Sequence, residues 1–395
     1  MSIDPMEVIR TLCALPPRLP CSEGERLGHE HVAQVLRSLG LAPVVEEFPF
    51  VQNGYAALAL HTGALAAAGL VGLAIPVVGA GLASLATASL YGDFQSRWFW
   101  LRRLLPTGMS RNVVARVPSS GPVRRRVVIM AHVDVAREGP PAVYAPARAK
   151  AVAHFCHTHL GSAPGATQAI FWGGALETAL LGAAAAGLPG RSLAAVLAAV
   201  EAWVSAQMAL AARSPGVPGA ADNASGVAIL LALGERLCAE PLAGTEVWLA
   251  ATGCEEAMLG GALDLLGRHA GELPAASTWF LALDTLGAGQ LHYATGEGLA
   301  ASVRHDPGFV ALAAAAAEED PARPQPYAMT FCTDALVPAV RGYRALSLIA
   351  LDEDGYPANY HWRTDVPEAI DPAVLAAARD YTLRLLRRID ASEAA

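Results

Sequence analysis

The chain has 395 residues, of which 53 % are hydrophobic and only 16 % charged, with a formal net charge of −8. An average soluble domain carries about 25 % charged residues, so apolar surface that does not face water is expected. An acidic balance without a basic stripe or interleaved aromatics excludes nucleic acid as a partner.

The length suits one large or two ordinary domains. The opening "MSIDPMEVIRTLCALPPRLPCSEGER" places acids early and lacks an apolar core with a cleavage site, so no signal peptide is expected. Six cysteines (Cys13, Cys21, Cys156, Cys238, Cys254, Cys332) show no CxxC or other ligand spacing and read as reduced thiols of a cytoplasmic setting.

Taken in chain order, "EGERLGHEHVAQVLRSLG" has apolar residues at helical spacing, with a cap at Ser22 and a stop at Gly40. His29 and His31 are expected on its solvated face. "PVVEEF" is β-rich, and then no Asp, Glu, Lys or Arg occurs between Glu47 and Asp93. Pro76 divides that interval into two apolar segments of about 20 residues, each able to span roughly 30 Å as a helix. "RNVVARV" and "RRVVIMAH" follow, joined by the short polar turn "PSSGPVR", which predicts an antiparallel hairpin. A second apolar block, residues 151–213, carries only Glu177, Arg191, Glu201 and Arg213 and breaks at Pro189-Gly190. It reads either as another membrane hairpin or as two helices packed on the first pair. Beyond it, "TEVWLAAT", "STWFLALD" and "ALSLIAL" alternate with helical segments, and a final helix covers roughly 372–388. Alternation of this kind argues for an α/β fold with a mixed or parallel sheet covered on both faces.

The chemistry-bearing residues fall at the ends of these elements. His132 and Asp134 lie just past one apolar strand, Glu255 and Glu256 past another, and Asp284 ends a third. His361 lies in a loop near the C-terminus, and Asp222 stands in the small-residue turn "GAADNASG" before an apolar helix. In open α/β sheets, ligands bind beyond the carboxyl ends of the strands. Singly, each has a plain structural reading: Asp222 as a helix cap, His132 as a satisfied polar group, Glu255-Glu256 as a solvated helix start, His361 as a loop histidine. Together they are imidazoles and carboxylates, a mixture that suits zinc or a similar divalent ion. Clustered without metal they would repel. Two ions about 3.5–4 Å apart with one carboxylate bridging would remove that repulsion, leaving one acid free to move protons. The histidines of "HFCHTH" (His154, His157, His159) belong to the apolar block and read as a polar interfacial turn. Asp334, in "FCTDA", either lines the substrate pocket or makes a structural hydrogen bond.

The set "AHVD", "GAADNASGVA", "CEEAMLGG", "ALD" and "YHWRTDVPEAID", in this order, resembles the di-zinc aminopeptidase family that includes bacterial leucyl aminopeptidases and aminopeptidase Y. The similarity covers roughly residues 1–52, 110–138, 216–298 and 328–390. It implies a three-layer α/β/α zinc-exopeptidase domain with a mixed central sheet. By position it also implies that His132 and Asp284 hold one zinc, Glu256 and His361 the other, and that Asp222 bridges them. Manganese or cobalt are the natural substitutes. Glu255 would be the general base that takes a proton from the attacking water and passes it to the leaving amine. Asp134 would accept a hydrogen bond from the far nitrogen of His132. The peptide after the bridging aspartate is often cis in that family, which makes Asp222–Asn223 a candidate cis bond. The activity implied is an aminopeptidase acting on peptides, including membrane-partitioning ones. A deacylase, a carboxypeptidase and, from another class, a non-catalytic membrane scaffold of the same fold are the alternatives.

The departure from that family is the pair of insertions. The expected organisation is an exopeptidase domain of residues 1–52, 105–150 and 214–395, interrupted by hydrophobic helical hairpins at 53–104 and 151–213. Both insertions should emerge at the metal-bearing edge of the sheet, so that this face rests on a bilayer through residues 54–100 and, in the fuller version, 166–212. Arg97, Arg102, Arg103, Arg111, Arg148 and Lys150 flank them on the catalytic side, which by the positive-inside rule faces the cytoplasm of a multi-pass inner-membrane protein. Trp98, Phe99 and Trp100 suit an interfacial aromatic belt. The competing reading is a soluble cytoplasmic chain whose insertions form a lid or a homo-oligomer interface.

Overall fold

The computed structural model describes residues 3–160 and 165–392. Helices α1 (Pro5–Ala14) and α2 (Glu23–Ser38) precede strand β1 (Val44–Val51), and helices α3 (Gly54–Ala74) and α4 (Pro76–Phe94) follow it. Strands β2 (Thr107–Val117) and β3 (Arg125–His132) come next, then α5 (Pro141–Tyr144), α6 (Pro146–Leu160), α7 (Ala166–Ala185) and α8 (Arg191–Ala211). The chain continues through α9 (Gly226–Ala239), β4 (Thr245–Thr252), α10 (Gly260–His269), β5 (Thr278–Leu283), β6 (Gln290–Glu297) and β7 (Val303–Arg304). It closes with α11 (Pro307–Glu318), β8 (Gln325–Ala328), α12 (Leu336–Ala339), β9 (Arg344–Leu351) and α13 (Pro372–Ala391).

Local chemistry sets the helix starts. The Ser22 side chain accepts from the Glu25 amide at 3.2 Å, satisfying a donor the first turn of α2 leaves free. An Asp-Pro pair opens α1, α11 and α13: Asp4, Asp306 and Asp371 each cap their helix through the side chain while the proline presets the first helical φ. Gly40 follows α2 with a φ of +82°, the left-handed stop expected there.

The described strands form one mixed sheet in the order β1-β2-β4-β3-β5-β9-β6-β7, with β8 paired to β6. Strands β4, β3, β5 and β9 run parallel, β1 and β2 are antiparallel to their neighbours, and β6 is antiparallel to β9 and β7 but parallel to β8. One face packs on α1, α2, α9, α11 and α13, the other on α10 and α12. This is the three-layer α/β fold expected. The β2–β3 hairpin is a correction, because β4 lies between the two strands and pairs with both. Residues 245–252 are almost wholly buried and take a central place, and the seven-residue link 118–124 is long enough to step over one strand. Strand β2 remains antiparallel to β3 at one remove, so its start and the end of β3 share a sheet edge.

Helices α3, α4, α7 and α8 pack together as one four-helix unit at that edge. Leu65, Ala68, Ala83, Leu90, Leu181 and Ala194 are buried within it. Glycines bring α3 and α4 close: a Cβ at Gly79 would lie 2.3 Å from the Gly72 Cα. Outward, the unit presents Leu70, Val77, Leu85, Trp172, Val196 and Trp203 to solvent. Two of its helices, Gly54–Ala74 and Arg191–Ala211, are long and apolar enough to cross a membrane by length and composition.

Candidate metal centre

Five segments of the chain deliver the ligands to the carboxyl edge of the sheet. His132 ends β3, Glu256 follows β4, Asp284 follows β5, and Asp222 sits in the turn leading to α9. His361 comes from the loop after β9. All five are shielded from solvent, Asp222 at 3 % exposure and His361 at 9 % among them. His132, Asp222 and Asp284 offer ligand atoms within 4.8 Å of one another, and so do Asp222, Glu256 and His361. Asp222 is common to both groups. Its Oδ1 lies 3.3 Å from His132 Nε2 and its Oδ2 lies 3.4 Å from His361 Nε2. His132 Nε2 is 3.8 Å from Asp284 Oδ2, and His361 Nε2 is 3.2 Å from Glu256 Oε2. Glu255 approaches from the side, its Oε2 4.0 Å from His132 Nε2.

The site is built to carry cations. Burial pushes Asp284 up to about 7 although His132 lies beside it. Burial, with Glu256 and Asp284 adding to it, drives Glu255 well above the ordinary carboxylate value against the pull of His132. Burial also raises Asp222, but His132 and His361 outweigh it and hold that carboxyl low. Oδ2 of Asp222 and Oε1 of Glu256 are buried without a hydrogen-bond donor. Packed carboxylates with orphaned oxygens are costly unless a charge partner is present. The donor set of two imidazoles and three carboxylates fits zinc.

Backbone and side chains around the ligands fix their aim. The Asp222–Asn223 peptide is cis. Asn223 donates to the Leu283 carbonyl at 2.8 Å, and Ser225 Oγ accepts from the Leu286 amide at 2.9 Å, which locks the Asp222 turn to the strand end bearing Asp284. Gly219 begins that turn at a φ of +67° with Val135 so close that a Cβ would lie 2.2 Å from its methyl. The Asp134 expectation needs correction. His132 Nδ1 hydrogen-bonds to the Asp134 backbone oxygen at 3.0 Å, while its carboxylate is 3.8 Å away. That carboxylate accepts instead from the Glu255 and Glu256 amides at 3.1 and 3.0 Å, so it orients the pair after β4.

Four positioning groups went unread in the sequence. Arg18, 2 % exposed, donates to the carbonyls of Val133 (2.8 Å), Leu12 (2.6 Å) and Gly219 (3.0 Å), tying the His132 and Asp222 loops together. Asp365 accepts from the Ala221 and Asp222 amides at 2.7 and 3.1 Å. Tyr55, on the first turn of α3, has its hydroxyl 3.0 Å from His361 Nδ1. Tyr360 stacks on the same imidazole at 3.9 Å between centroids. Arg18 and Tyr55 stand outside the motifs quoted above and act on groups reached only through the fold, while Asp365 and Tyr360 lie inside "YHWRTDVPEAID" but were given no role there.

Other expectations resolve variously. Asp334 is buried and accepts from Thr252 Oγ1 at 2.5 Å, the structural alternative. His29 is wholly buried, its Nδ1 2.9 Å from the Glu25 carbonyl, so the solvated-face reading fails for it. His154 is exposed and pairs with Asp354 at 2.9 Å; the His157 and His159 side chains lie outside the described residues. The described cysteines are free thiols.

Fold and site together define a metal-dependent hydrolase with a zinc cofactor. Residues 205–386 match the profile of Peptidase family M28, and the di-zinc aminopeptidase type of family read in the sequence holds. No curated protein matches the sequence. Among solved structures, the chain resembles a Zn-dependent exopeptidase from Parabacteroides distasonis at a TM-score of 0.57 and 13 % identity, covering 98 % of this chain and 99 % of that one. It resembles BSAP, a zinc aminopeptidase from Bacillus subtilis, at 0.55 and 14 %, over 97 % and 93 % of the two chains. A glutaminyl cyclase from Bacteroides thetaiotaomicron stands equally near, at 0.56 and 12 %, over 98 % of each chain. At such identities the likeness is one of fold.

Proposed function

We propose that this protein is an exopeptidase that hydrolyses the N-terminal bond of a peptide, using two zinc ions and Glu255 as base, with its helical unit seated in a bilayer. The observation that carries the two-ion reading is the sharing of Asp222 between two ligand groups, each with its own imidazole and its own second carboxylate. Bound there, divalent ions would polarise the scissile carbonyl and lower the pKa of water.

The chain's own residues would do the rest. Glu255 belongs to neither ligand group, and its amide is fixed by Asp134. It is free to take a proton from water at its carboxylate and to deliver it to the departing nitrogen. Asp222 and Glu256 keep their orphaned oxygens for the cations rather than for protons. Loss of either imidazole would leave one group with carboxylates alone.

The same machinery would serve a deacylase or a carboxypeptidase, and the end of the substrate that is recognised decides among them. A Glu255→Gln variant tests the reading. It is expected to retain its zinc and to lose turnover of aminoacyl substrates by at least about 100-fold, the scale of general-base catalysis. Full activity in that variant would remove Glu255 from the base role.

A further inference from the structure

One cavity touches the metal centre. It measures about 80 Å³ and is lined by the ligand Glu256, by Arg137, and by apolar side chains including Leu58, Phe94, Met258 and Leu299. A water needs about 10–15 Å³ by the same kind of measure, so there is room for a group of a few heavy atoms. Leu58 belongs to α3, Phe94 to α4 and Thr167 to α7, so the feet of the helical unit wall the cavity on the side away from the sheet.

Glu256 and Arg137 are the charged residues of that lining. Glu256 is committed to the metal centre, which leaves Arg137 as its cation. The guanidinium is half-buried and held in place: Nη1 donates to the Ser214 carbonyl at 2.7 Å, and the backbone pairs with Gly216. Two residues on, the Gly139 amide donates to the His361 carbonyl at 3.0 Å, so this loop is anchored to a ligand. No carboxylate among the described residues pairs with Arg137. The nearest acid in sequence, Glu138, is taken by Arg363 at 3.2 Å.

Arg137 lines the same cavity as the ligand Glu256, and a half-buried cation with no carboxylate partner among the described residues is matched to an incoming anion. It would repel a substrate's ammonium group and accept a carboxylate through paired N–H donors. We propose that Arg137 binds the free C-terminal carboxylate of the substrate, so that short peptides, dipeptides foremost, are the substrate class. This deepens the exopeptidase reading and rests on it. In a dipeptide the first peptide bond is also the last, so cleavage at the N-terminal residue and an anchor for the carboxylate are compatible. The apolar wall then selects against charge on the side chain that it meets.

The test compares leucyl-alanine with leucyl-alaninamide on the zinc-loaded full-length protein in detergent, for the wild type, Arg137→Gln and Arg137→Lys. The wild type is expected to favour the free acid in kcat/KM by about 10- to 100-fold, the scale of a charged hydrogen bond, with the difference in KM. Arg137→Gln should bring the acid-to-amide ratio close to one, and Arg137→Lys should keep part of it. The ratio is read on one protein sample, so a loss of folded material does not alter it. Equal use of acid and amide by the wild type, or an unchanged ratio in Arg137→Gln, would overturn the carboxylate anchor and leave the exopeptidase standing. Hydrolysis of neither compound would overturn both.

Discussion

Asp222 is the residue on which the site turns, and its surroundings show how a single carboxylate is held for two partners. Asp365 grips its amide, Asn223 and Ser225 tie its turn to the next strand, and Arg18 fastens the loop before it. His361 is the ligand with the most distant support, since its far nitrogen meets Tyr55 from the inserted helix α3. Partners of this kind set imidazole orientation and ligand strength. Tyr55→Phe should therefore weaken zinc binding about 10- to 100-fold, measured by competition with a chromophoric chelator. An unchanged affinity would make the contact incidental. At this scale the ligand types were legible, because each stands where an apolar strand or turn ends. Arg18, Asp365 and Tyr55 were not, because their partners are backbone groups and an imidazole reached only through the fold.

The elements were legible wherever burial on both faces wrote a continuous apolar run. Strands β3 and β4 fall on the stretches expected, and β1, β2, β5 and β9 differ from theirs only at the ends. Strands β6 to β8 escaped notice. β6 mixes Gln, His, Thr, Gly and Glu, β7 has two residues, and β8 contains Pro326, so pairing rather than propensity holds them. The β2–β3 linkage was misread because a short link signals a hairpin, while strand β4 competes for both partners from far along the chain. Helix α2 hides a further lesson in His29, which points into the core. Burial pulls its pKa from 6.5 down to about 4. Protonation thus favours the unfolded chain, and the contribution of His29 is present above pH 6.5 and lost as pH falls toward 4. Chemical denaturation of the wild type should lose up to about 3 kcal/mol more over that interval than His29→Gln does. Parallel curves for the two proteins would contradict this placement.

For the whole molecule, the helical unit sits at the catalytic edge and exposes an apolar exterior that an ordinary soluble surface lacks. Arg102, one of the basic residues that argued for orientation, is instead buried in a salt bridge with Asp93, against the Phe99 ring. Arg97 and Arg103 still flank α4, and Trp98 and Trp100 are exposed beside them. Embedding predicts that the protein sediments with membranes, resists extraction by high salt or carbonate, and is released by detergent. Recovery in the high-speed supernatant without detergent would instead favour a lid or an interface between copies.

The central claim is that five side chains from separate parts of the chain form one binuclear pocket around Asp222. Zinc content of the dialysed, zinc-loaded protein, with anomalous diffraction to locate the ions, tests it most directly. The account predicts two ions per chain, both within bonding reach of Asp222, and loss of at least one in Asp222→Ala. A single ion held without Asp222, or no retained zinc, would contradict it.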